Sequence, residues 1–201
     1  MTGLVELLFT ICTALLIPVI LALLVFLASI AVFLGGFLRE SLSRRAGRQA
    51  LDACLSAAKL EQPPDQLLEL LRKVPSGMGA AFCARIDVSK HSADTLAHIV
   101  LELEHDISAS MAKLSLLTRI GPMLGLMGTL IPLGPALAGL AAGDMRTMAQ
   151  NLIEAFTTTV LGVLIGSIAY GISLTRRAWY ARDLSDLEFI CQRLASKEKA
   201  T

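Results

Sequence analysis

The sequence predicts an all-α integral membrane protein: three transmembrane helices, with long helices extending into a helical cytoplasmic domain. Three observations predict it: an apolar composition, three charge-poor runs long enough to cross a bilayer, and basic residues sorted into the segments beside those runs. Of 201 residues, 54 % are hydrophobic and 17 % charged, and the mean hydropathy is +0.64. That is too apolar for a soluble domain of this size, so lipid is part of the solvent. A formal net charge of +1 gives no reason to expect a nucleic-acid partner.

Residues 1–38 form the first transmembrane helix. No charged residue occurs from Leu7 to Leu38, a run that as a helix is ~48 Å long at ~1.5 Å per residue, against a hydrocarbon core of ~30 Å. Pro18 kinks this helix or marks where its outer part ends, and Gly35 with Gly36 loosens the inner end. The run is too long for the core of a signal peptide and is expected to stay as a membrane anchor. Residues 39–113 form a helical insert. Its first helix is rich in Ala, Leu and Arg, Pro63-Pro64-Asp65 starts a second, and Pro75-Ser76-Gly77 breaks it. A third helix is expected from about Gly79, with Leu96, Ile99, Val100, Leu103, Ile107, Met111 and Leu114 recurring at three and four along one packed face. It is expected to run unbroken into the next span as far as Pro122.

Residues 114–175 hold the second and third spans, interrupted only by Arg119 and Glu154 and by a connector over residues 142–147 so short that the two helices form an antiparallel hairpin. Residues 176–201 form a C-terminal helix, opened by Arg176-Arg177 and Trp179-Tyr180, which suit an interfacial anchor. Eleven Lys or Arg fall within residues 39–119 and six after Leu174, whereas the hairpin tip has Arg146 alone. The positive-inside rule then places the insert and the C-terminus in the cytoplasm and the N-terminus outside.

Cys12, Cys54, Cys83 and Cys191 form no CxxC pair and read as free thiols. His91, His98 and His105 share a helical face at steps of seven, ~10.5 Å apart, which is too far for two of them to chelate one ion. No paired aspartates and no Gly-x-Ser-x-Gly nucleophile elbow occur in the spans, so no enzyme activity and no cofactor are expected.

In the second span Gly121, Gly125, Gly128, Pro132, Pro135 and Gly139 follow a four-three rhythm; in the third, Ala155, Thr159, Gly162, Gly166, Ala169 and Ser173 do the same. Small residues at that spacing let helix backbones approach closely, a main source of association in lipid. Proline-freed carbonyls are tolerated only against protein or a water-lined path. These stripes fit a tightly packed bundle as well as a channel. Glu154 differs, because a carboxylate at membrane depth costs ~2.5–3.5 kcal/mol on insertion scales and characteristically marks an ion pathway. The bland alternative is a glutamate wetted at the outer interface or paired with Arg146.

The segment Gly121-Pro122-Met123-Leu124-Gly125-Leu126-Met127-Gly128-Thr129-Leu130 is similar to the Ala-Pro-Leu-Leu-Gly-Leu-Leu-Gly-Thr-Val signature of TolQ and ExbB proteins. Glu154-Ala155-Phe156-Thr157-Thr158-Thr159-Val160-Leu161-Gly162 resembles their third-span motif, in which Glu-Ala-Leu leads into Thr-Ala-x-Gly. On these motifs the chain resembles the MotA/TolQ/ExbB proton-channel family, with the TolQ/ExbB layout fitting better than the flagellar one. The resemblance implies that Thr129, Thr159 and Glu154 lie on an ion pathway, with Thr158 a possible slip of register. It also implies five copies around a dimer of single-span ExbD/TolR-like partners that carry an intramembrane aspartate, in a cell inner membrane. The transported ion is then a proton rather than Na⁺, since hydroxyls and one carboxylate offer no richer oxygen cage. A structural scaffold and a small channel that works without a partner remain the rival readings.

Overall fold

The computed structural model describes residues 2–60, 64–74, 77–86 and 93–198. These residues form six helices and no strand: α1 (Thr2–Ala14), α2 (Leu16–Lys59), α3 (Pro64–Arg72), α4 (Met78–Arg85), α5 (Ala93–Ala141) and α6 (Met145–Glu198). Three helices are long and apolar enough to cross a membrane, over Glu6–Arg44, Asp94–Ala141 and Met145–Arg193. The chain divides into two compact units, residues 1–34 with 113–173 and residues 35–112 with 174–201.

In the first unit the N-terminal apolar run is interrupted once. The break falls at Leu15, whose N–H is shared between the carbonyls of Ile11 and Cys12 at 3.2 and 3.1 Å. Pro18 explains the position: it has no N–H to give to the carbonyl of Ala14, where α1 ends, and its ring crowds that carbonyl. Gly35 and Gly36, by contrast, sit inside α2 without breaking it. Pro122, Pro132 and Pro135 all lie within α5, so the helix runs through Pro122 to Ala141 instead of stopping there. Alanine would be the better helix former at each site, yet at Pro122 the packed neighbour described below fixes the path of the chain.

The hairpin turn between α5 and α6 closes in two steps. Gly143, at φ +76°, is the left-handed residue after α5, with its N–H on Leu140 O at 3.1 Å and the Asp144 N–H on Gly139 O at 2.8 Å. This is the paired capping pattern that ends helices at glycine. Asp144 then caps α6, its Oδ1 accepting from the N–H groups of Arg146 and Thr147, both at 3.1 Å. The Thr147 hydroxyl donates to Oδ2 at 2.5 Å. That hydroxyl, followed by the Thr147 and Arg146 N–H groups, holds the Asp144 carboxyl below its usual pKa of 3.8.

The second unit is a helical cluster around Leu51, Cys54, Leu71, Phe82, Leu96 and Leu187, all at most 3 % exposed. Here α4 and α5 are separate helices, which corrects the expectation of one helix starting near Gly79: α4 ends at Arg85 and Ile86 is extended at φ −73°, ψ 119°. Between Ile86 and Leu96 the sequence Asp-Val-Ser-Lys-His-Ser-Ala-Asp-Thr has no apolar three-four spacing, so nothing in that stretch rewards a continuous helix. Pro63, Pro75, Ser76 and His91 lie outside the described residues. Burial pushes the Cys54 thiol up to about 11, so it stays neutral in the core.

Candidate ion pathway

The hairpin is held by glycines set against backbone. A methyl group placed on Gly162 would lie 2.7 Å from both Gly121 O and Gly125 Cα; one on Gly125 would lie 3.1 Å from Gly162 Cα; one on Gly121 would lie 3.2 Å from Gly162 O. Gly166 leaves room for the ring of Pro122, whose Cγ would be 2.7 Å from any side chain added there. The ring that prevents a normal helix bond is thus seated in a gap made by a missing side chain one helix away. Gly128 plays the same part for Thr158, whose Oγ1 would lie 2.5 Å from an added methyl.

This last contact separates the threonines. The spacing puts Thr159 on the packed stripe of the third span, whereas the structure places Thr158 there, 5 % exposed and seated on Gly128. Steps of three then four from Ala155 to Gly162 pass through Thr158 as readily as steps of four then three pass through Thr159, and the empty site at Gly128 decides between them. Thr159 and Thr129 are each half-buried on the flank of the hairpin, and Thr157 is exposed.

Every one of these hydroxyls donates to its own helix: Thr129 to Leu126 O at 2.6 Å, Thr157 to Ile153 O at 2.8 Å, Thr158 to Ala155 O at 2.9 Å and Thr159 to Ala155 O at 3.1 Å. A hydroxyl whose proton is used in this way keeps its lone pairs and still accepts a hydrogen bond. Thr129 and Thr159, both partly exposed, each keep a lone pair that can accept a hydrogen bond. Glu154 is half-buried between exposed Ile153 and Phe156, with no ion pair to Arg146 among the described residues. Five residues separate it from Thr159, about 140° around the helix, so within one chain the carboxylate and that hydroxyl face different ways.

Two groups of polar residues escaped the sequence reading. Asp144 had a signal, since an aspartate directly before an apolar helix is a capping residue. The other group lies in the second unit, where Asp183 binds Arg44 and accepts from Arg48 at 2.9 Å, and Asp186 pairs with Arg48 at 2.8 Å. Glu40 there pairs with Arg176 at 2.9 Å and accepts from the Tyr180 hydroxyl at 2.8 Å. No local pattern announces this set, because its members lie far apart along the chain.

Comparison with curated proteins and with solved structures returns no match. Comparison with protein families returns a match over residues 72–187, more than half the chain, taking in both glycine stripes, all four threonines and Glu154. On that match the chain belongs to the MotA/TolQ/ExbB proton channel family.

Proposed function

We propose that the chain is the proton-channel subunit of an ion-driven membrane motor, which couples proton flow to mechanical work through a single-span ExbD/TolR-like partner. Five copies around a dimer of that partner, in a cell inner membrane with the N-terminus outside, are the arrangement this reading adopts. Glu154 carries it: a half-buried carboxylate with no basic partner among the described residues, in the third apolar helix of a proton-channel family member.

Below Glu154 the third span offers hydroxyls and no second titratable group until Tyr170. Proton passage through that stretch needs an acid from elsewhere, and the partner's intramembrane aspartate supplies it. The threonine bonds give the acid a defined reception. With their protons held by Leu126 O and Ala155 O, Thr129 and Thr159 accept from a protonated carboxyl and offer a carboxylate nothing until they let go of their own helix. Docking thus favours the neutral acid, and release of its proton favours departure. One charge crossing the membrane potential yields ~2.3 kcal/mol per 100 mV, which is enough to bias a turn of partner against ring. Glu154 gathers protons at the outer mouth.

The experiment is proton flux in proteoliposomes that hold the chain with its copurified partner. Thr159→Val is expected to abolish partner-dependent flux with assembly intact, and Glu154→Gln to slow it. Unchanged flux in Thr159→Val removes the role given to that hydroxyl. Flux without any partner supports the autonomous channel, and no flux under any condition leaves the scaffold.

A further inference from the structure

Hydroxyls in the apolar helices of the first unit are of two kinds. Thr10, Thr13 and Ser29 donate to carbonyls of their own helix, as the four threonines near the Asp144 turn do. Ser167, Tyr170 and Ser173, at steps of three in the half of α6 away from that turn, make no hydrogen bond among the described residues, and neither does Ser115 of α5. Ser167 is exposed and Tyr170 is 58 % exposed. A hydroxyl without a partner is costly in hydrocarbon, and one that faces lipid avoids the cost by bonding its own helix, as exposed Thr13 does. The unbonded set therefore calls for a polar neighbour outside the chain.

Position says where that neighbour lies. At ~100° per residue from the packed glycines Gly121 and Gly162, Thr129 and Thr118 stand ~80° and ~60° round α5, and Tyr170 and Thr159 ~80° and ~60° round α6. Ser115 and Ser167 follow at ~120° and ~140°. In an antiparallel pair of right-handed helices, equal angles in the same sense point to the same side of the pair. The contacts of Gly128 with Thr158 and of Gly166 with Thr118 O fix the levels. Thr129 thus lies opposite Thr159 and Thr118 opposite Tyr170, in two layers ~16 Å apart on one face. Phe9 of α1 packs at Gly134, which stands ~220° round α5, so the first helix lies against the other side. Arg119, exposed and without an ion pair among the described residues, follows Thr118 directly, and a guanidinium inside an apolar run draws water to that depth.

We infer that this half of the face is a water-filled exit, through which the proton released by the partner's acid reaches the cytoplasm, with Tyr170 as its relay. The inference rests on the proton-channel reading above. A protonated water on the side of the threonines gives its proton to a lone pair of the Tyr170 oxygen while the phenol passes its own proton to a water nearer the cytoplasm. The O–H then turns back, and the phenol is neutral before and after. Thr118 is an acceptor only, since its proton is held by Leu114 O at 2.9 Å. The other use of a tyrosine near the end of a span is as an interfacial anchor. Tyr170 does not suit it: Cα–Cβ bonds tilt toward the N-terminus of a helix, which carries the ring back toward the turn and away from Arg177, ~10 Å further along α6.

The test uses proteoliposomes of the full chain with its copurified partner and has two readouts. The first compares Ser167→Cys with Leu164→Cys, at an exposed position ~200° round α6 and off this face. Both are treated with a membrane-impermeant cationic methanethiosulfonate, and modification is read at that peptide by mass spectrometry. The reagent attacks thiolate, which hydrocarbon suppresses, so Ser167→Cys is expected to react more than about tenfold faster. The second readout is flux. Tyr170→Phe, which removes one oxygen and no hydrogen bond within the chain, is expected to slow partner-dependent proton flux by about tenfold, the equivalent of one hydrogen bond at the barrier. Thr13→Val is expected to leave flux unchanged. Equal labelling of the two cysteines, or unchanged flux in Tyr170→Phe, overturns the exit, while flux in the unaltered chain keeps the channel reading. Absence of partner-dependent flux in the unaltered chain removes the channel reading itself, and the exit falls with it.

Discussion

Replacing Gly162 by alanine puts a methyl group where the hairpin has no room for one. The added carbon would sit 2.7 Å from Gly121 O and Gly125 Cα and 2.9 Å from Gly125 N. It falls short of the ~3.5 Å at which carbon contacts become favourable by about 0.8 Å. All three opposing atoms are backbone, so no rotamer can yield; the helices must separate by that amount over a turn or more, and Pro122 then loses its seat on Gly166. Overpacking of this kind costs about 1–3 kcal/mol, which for a chain of this size lowers the thermal midpoint by about 2–12 °C. The assay is thermal unfolding of the purified full chain in detergent, with Gly171→Ala beside it. Gly171 has nothing within 4 Å of an added methyl, so that variant is expected to be neutral or to gain up to about 1 kcal/mol from helix propensity. Equal midpoints for the two variants would refute the claim that backbone contact at Gly162 holds the hairpin.

Two further perturbations address the polar groups. Asp183→Ala strips Arg44 and Arg48 of a carboxylate that is 5 % exposed and is expected to cost about 3–5 kcal/mol in denaturation. Asp52→Ala removes an acid 54 % exposed from the same Arg48 and is expected to change stability by less than about 1 kcal/mol. Asp144→Ala is expected to destabilise the hairpin at neutral pH, read as a lower thermal midpoint. Because folding depresses the Asp144 pKa below 3.8, its stabilisation is complete above that value and disappears as pH falls through the lower folded value. The gap between wild type and variant therefore closes in acid.

The spans and the hairpin were legible because each rests on a local property: run length, absence of charge, and glycines at three and four. The break in the first apolar run was legible only in part, since Pro18 announces a defect but its effect falls a turn earlier, at Leu15. Prolines in α5 misled in the opposite direction. Their cost to an isolated helix is real, but Gly166 lies on another helix and absorbs the ring of Pro122. The choice between Thr158 and Thr159 needed the same kind of knowledge, because both satisfy the spacing and Gly128 selects one. The Glu40, Arg44 and Asp183 cluster could not be read at all: the Tyr180 bond to Glu40 spans 140 positions and the Arg44 bond to Asp183 spans 139.

Trp179 is the one tryptophan in the sequence, and its indole is stacked on Phe37 and covered by the Arg44 guanidinium. Excited where tyrosine does not absorb, the protein thus emits from a single lamp hung beside the arginine that grips Asp183. Slackening of that grip bares the ring to water and reddens its light, so the state of the charge cluster can be followed by eye of a fluorimeter, without any attached dye.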